Sequence, residues 1–133
     1  MTDGYSEDQE LEEFIDEWYY GEEMYRFAAP LGRYLLRFID YLSEQDISEK
    51  TRRKHIDNCW YIGYLECNFT YHDEFVPGEV FYSPDAPHDY DFKRKFFSSK
   101  SAVASYRSTW RKLHAYTKEL GERTLLNPGG SEL

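Results

Sequence analysis

Val103, Tyr106, Trp110, Leu113, Thr117 and Leu120 follow one another at intervals of three, four, three, four and three residues. That rhythm lines six side chains along one stripe of an α-helix and fits neither face of a strand. A stripe of that width must be covered by other elements, so it commits the chain to a helical core. Ser98 or Ser99 can cap this helix and Gly121 can stop it, which predicts a helix over 99–120.

Three further helices are expected upstream. Leu11, Phe14, Ile15 and Trp18 form an apolar stripe over 8–20, with Gly21 as punctuation. Leu31, Leu35, Phe38 and Leu42, broadened by Tyr34 and Ile39, mark a helix over 22–43. Pro30 lacks an N–H and clashes with the preceding turn, so a restart is expected there. Ser48 can accept from the amide three residues on and begins a helix running to about Asn68. Ile56, Trp60, Gly63 and Cys67 lie along one side of it, with Cys59 and Ile62 beside them.

Residues 71–97 break the helical rhythm. EFVPGEVFY reads as two short strand-like pieces about Pro77-Gly78, a pair suited to a type II turn. The fold class expected is therefore mainly α: a compact four- or five-helix bundle with an irregular or short β-hairpin insertion at about 71–97. Residues 1–7 read as a disordered acidic head, 8–122 as a single helical domain and 123–133 as a flexible tail. With 133 residues the chain has one domain's worth of length. The 13 Tyr, 9 Phe and 3 Trp read as core filling and as tyrosines with wet hydroxyls, the other reading being an aromatic binding platform.

Charge is segregated along the chain. Residues 1–25 hold ten Asp or Glu and no Lys or Arg, whereas 92–118 hold eight Lys or Arg and no Asp or Glu. The net charge of −9 thus conceals a basic segment, and a clustered basic face is what an anion-binding surface needs. Lys100, Arg107, Arg111, His114 and Lys118 fall within a band of about 60° beside the apolar stripe of 99–120. Such a helix fits the DNA major groove, where Arg and Lys meet phosphates and guanine edges. Lys50-Thr51-Arg52-Arg53-Lys54 forms a second basic patch at a helix start, where the dipole also favours an anion. Both patches can equally be read as solvated helix faces.

The segment RYLLRFIDYLSEQDISEKTRRKHIDNCWYIGYL (33–65) resembles the opening helix pair of the core-binding domain of tyrosine recombinases and phage integrases. SKSAVASYRSTWRKLHAYTKELG (99–121) is similar to that domain's closing helix, and Asn127-Pro128 to the Asn-Pro that often ends it. These pieces cover about half of the chain. The resemblance implies a SAM-like bundle gripping duplex DNA, with Lys50, Thr51, Arg52, Arg53, Lys54, Lys100, Arg107 and Arg111 at the DNA face. It departs from the family in its acidic head, in its irregular 71–97 stretch and in holding none of the family's catalytic Arg, His and Tyr framework.

Other chemistries find less support. His55, Cys59, Cys67 and His72 are zinc-type ligands at no standard spacing, and a structural role is expected for them. The acids of 83–91 lack a helix–loop–helix frame for calcium. Glu12 and Glu13, or Asp73 and Glu74, diverge by about 100° on a helix and do not converge as an acid/base pair. No phosphate-cradling glycine loop or nucleophile elbow occurs. The expectation is a non-enzyme without metal or cofactor. Cys59 and Cys67, roughly 12 Å apart on a helix, cannot pair; free thiols suit a reducing cytoplasm. No run of about 18 apolar residues suggests a membrane span, and the acidic N-terminus lacks the pattern of a secretory signal. Two functions remain in view. One is a non-catalytic DNA-binding module gripping duplex DNA with helices 48–68 and 99–120. The other is an acidic protein-interaction domain, a homodimer or a partner of another protein through the acidic head.

Overall fold

Three serines start three helices by one device. The Ser6 hydroxyl accepts from the Gln9 amide at 3.1 Å while the Gln9 side chain accepts from the Ser6 amide at 2.9 Å, a complete capping box. Ser48 accepts from Thr51 N–H and Ser99 from Ala102 N–H, each at 3.1 Å. The computed structural model describes residues 6–126, with side chains as far as Gly121. Within them lie α1 (Glu7–Ile15), α2 (Glu22–Ser43), α3 (Glu49–Phe69), α4 (Pro77–Val80), α5 (Asp89–Lys95) and α6 (Lys100–Leu126). The chain is all-α, and no strand occurs among the described residues.

α3 is the central element, packing against α1, α2, α5 and α6. Its approach to α1 depends on small residues. A methyl group on Gly63 would overlap the Trp18 indole, and one on Gly32 of α2 would overlap Ile15 and approach Leu11 to 2.8 Å. Leu11, Ile15 and Trp18 are all buried, so the acidic helix is docked by its apolar side. Asn68 at the end of α3 donates to the Trp18 carbonyl and fixes the link to α2. That link closes at Gly21, whose φ of 90° only glycine adopts readily. On the other side, aromatic rings join α2 to α6: Tyr116 packs against Tyr34, Phe38 and Tyr41. Most of the aromatic excess is thus core and core margin, which bury large areas of apolar surface.

Four expectations are corrected. Residues 71–97 form no β-hairpin; they hold α4 and α5. Pro77 occupies the first turn of α4, where its missing N–H is no loss, and the Val76 carbonyl accepts from Glu79 and Val80. α2 does not restart at Pro30 but runs through it. Phe27, Ala28, Ala29 and Leu31 are buried on both sides of the proline, and that packing outweighs one lost backbone bond. α6 does not stop at Gly121, because that residue keeps a negative φ; the helix continues to Leu126 and takes in the first part of the expected tail. Ser6 and Glu7 belong to the start of α1 and not to a disordered head; residues 1–5 and 127–133, covered by the remaining disorder and tail expectations, lie outside the described residues. The buried face of α3 is His55, Asn58, Cys59, Ile62, Gly63, Leu65 and Glu66, with Ile56, Trp60 and Cys67 half-buried against the core.

Candidate nucleic-acid interface

The rotation of α6 is set by polar bonds on one flank. His55 Nδ1 lies 2.7 Å from the Thr109 hydroxyl, and the Asn58 amide donates to Thr109 Oγ1 at 2.9 Å and to Ser105 Oγ at 3.0 Å. As α3 advances from 55 to 58, its partners on α6 retreat from 109 to 105, so the two helices are antiparallel. Burial, reinforced by the Lys112 ammonium, holds His55 below its ordinary pKa and so neutral.

The opposite flank of α6 is fastened to the 81–95 region. Trp110 Nε1 donates to the Ser83 carbonyl at 2.8 Å, and His114 Nδ1 lies 2.8 Å from the Phe81 carbonyl, which requires a proton on that nitrogen. Arg107 donates through Nε at 3.0 Å and through Nη2 to one oxygen of Asp89 at the start of α5. Between this flank and open solvent runs the basic edge. Lys100, Arg107, Arg111 and Lys118 are exposed along it, over roughly 27 Å of helix. Lys93, which neither the periodicity of α6 nor the family resemblance singled out, joins Lys100 and Arg107 around a shallow depression beyond Ser98.

The five cationic or hydroxyl residues of 50–54 do not join that edge. At 100° per residue, the side of α6 that meets α3 and the side bearing Lys100–Lys118 are about 170° apart. Lys50, Arg53 and Lys54 are exposed on α3; Lys54 lines a depression with Tyr61, Phe97 and Ser105. Thr51 is occupied by the cap, its hydroxyl accepting from Ser48 Oγ at 3.0 Å. Arg52 turns to α2, donating to Ser43 Oγ at 2.7 Å, and pairs loosely with Glu49 at 3.7 Å. His114 is half-buried and engaged with backbone. The structure therefore offers one continuous basic edge on α6 and a separate cluster at the start of α3, not two helices embracing one ligand from a shared face.

No signal in the sequence marked the buried carboxyl group of α3. Glu66 is 3% exposed. One carboxylate oxygen lies 3.3 Å from His72 Nε2, which ties the 70–76 link to α3, and the other lies 3.4 Å from the buried His88 Nε2. Among the described residues no group of three or more His, Cys, Asp or Glu is arranged to hold a metal ion. Burial raises both thiols, that of Cys67 to about 12 with help from Glu66, and raises the Tyr106 phenol. All three groups are held protonated near neutral pH, unlike an activated nucleophile. No described helix is long and apolar enough to cross a membrane. No family model, no curated protein and no solved structure matches the chain.

Proposed function

We propose that the protein is a non-catalytic DNA-binding module, a SAM-like bundle of the kind its sequence resembles, which meets duplex DNA along the outer edge of α6. The observation that carries this reading is the exposed row Lys100, Arg107, Arg111 and Lys118, extended by Lys93. At about 3.4 Å per step, its 27 Å length spans roughly eight base pairs. The acidic helix α1 packs on α2 and α3, and Asp89 touches the row at Arg107. The row's cations supply phosphate contacts, which carry no sequence information, so binding of weak sequence preference is expected.

The test is duplex affinity against salt for the full chain, compared with Lys100→Glu, Arg111→Glu and Lys118→Glu. Arg107 is left in place because it also anchors α5. Log K should fall linearly with log salt, and each reversal should reduce the slope by about 0.9. Absence of salt-dependent duplex binding would remove this reading.

The same charge layout favours a second reading, association between protein chains. The described part of the acidic segment surrounds α1 and the start of α2, while the basic edge lies on α6. A molecule with unlike ends can associate head to tail. Light scattering in low and high salt tests it: salt-reversible growth in mass supports it, and a monomer throughout rules it out.

A further inference from the structure

Phe97 is 50% exposed yet firmly rooted. It follows α5, where the amides of Phe96 and Phe97 both donate to the Phe92 carbonyl, at 2.9 and 3.2 Å. Its ring stands 5.8 Å from that of Tyr61 at 78°, and Tyr61 in turn lies 4.7 Å from Phe96 and 5.5 Å from Phe92. Phe92 is stacked on the buried Tyr106 ring at 4.3 Å. The exposed ring is thus the outer end of an aromatic column that reaches the core. Lys54, Asp57, Asn58, Tyr61, Phe97 and Ser105 line an open depression on one side of it. On the other side, past Ser98, Lys93 and Lys100 line the next depression with Arg107.

We propose that this corner seats an unpaired base of DNA, stacked on Phe97 with the Tyr61 ring edge-on to it, and with the flanking phosphate on Lys93 and Lys100. The inference rests on the DNA-binding reading and deepens it. The occupant follows from charge and ring geometry together. Lys93 and Lys100 line their depression with Arg107 and without a carboxylate, whereas Lys54 shares the other depression with Asp57, so it is the side past Ser98 that suits an anion. Paired bases hide their ring faces inside the stack, whereas single strands present them, and stacking on aromatic side chains is how sequence-tolerant binders hold such bases. Asp57 and Ser105 add a hydrogen-bond acceptor and a hydroxyl for a base edge. The corner adjoins the α6 edge through Lys100 and Arg107, so a duplex lying on the edge would bring its frayed or overhanging end here.

The experiment compares three fluorescent probes on the full chain at one salt concentration: a blunt duplex, the same duplex with a short single-stranded overhang, and that overhang made abasic. The overhang should bind on the order of tenfold more tightly than the blunt duplex, and the abasic overhang should lose that gain. Phe97→Ala should abolish the preference while leaving blunt-duplex affinity unchanged; Phe97→Tyr should keep it. Equal binding of all three probes, with salt-dependent duplex binding intact, overturns the proposal and spares the duplex reading. No salt-dependent binding to any probe overturns both. Capture of a Glu- and Trp-rich peptide in a Phe97-dependent manner, with no overhang preference, overturns it in favour of a protein ligand.

Discussion

At the scale of single residues, close approach and buried polarity decide most. Gly63 exists to admit the Trp18 indole. Gly63→Ala should force the indole out and lower stability by about 1–3 kcal/mol, seen as a lower denaturation midpoint at unchanged m. Gly78→Ala, whose added methyl meets nothing within 4 Å, should be close to neutral. His55 makes a pH-dependent contribution. Its folded pKa lies below the ordinary 6.5, so just below pH 6.5 the unfolded chain binds more protons than the folded one. Stability should therefore rise with pH through that window and level off above it. Urea midpoints at pH 5, 6, 7 and 8 check this, and His55→Gln should flatten the rise relative to the parent. The sequence placed His55 in a structural role but gave no sign of its partner Thr109, 54 positions away.

At the scale of elements, caps and stripes were readable because their causes are local. Ser48 bonds an amide three residues on, and Val103, Tyr106, Trp110 and Leu113 are buried at the spacing that marked them. Ser48→Ala should cost about 1 kcal/mol, measurable by denaturation and by faster amide exchange in the first turn of α3. The errors were equally physical. Pro77-Gly78 carries the chemistry of a turn and of a helix start alike, and Val80, Phe81 and Phe92 settle the choice by burial in the shared core. Pro30 is a helix breaker by its own chemistry, overruled by the residues packed around it. In α3 the polar residues His55, Asn58 and Glu66 lie inside because partners on other elements meet them.

At the scale of the whole molecule, the charges form two territories. The acids of 7–23 crowd around α1 and the start of α2, and their mutual repulsion should weaken the fold at low ionic strength. Raising salt from about 0.02 to 0.3 M should therefore raise the thermal midpoint of the isolated chain by screening that repulsion, a result checked by scanning calorimetry. The candidate site was legible only as a set of cations. Of that set, Lys100, Arg107, Arg111 and Lys118 share an edge, while Thr51, Arg52 and His114 are occupied within the fold. The sequence by itself determined that the chain is helical, where its longer helices begin and how its charge is divided, because capping, periodicity and charge act within a turn or two of their origin. The tertiary structure alone decided which face of α3 is inner, that 71–97 holds two short helices and which cations stand together. Those outcomes depend on contacts such as Trp110 with Ser83 and Tyr34 with Thr117, 27 and 83 positions apart, and no local pattern encodes a partner at that distance.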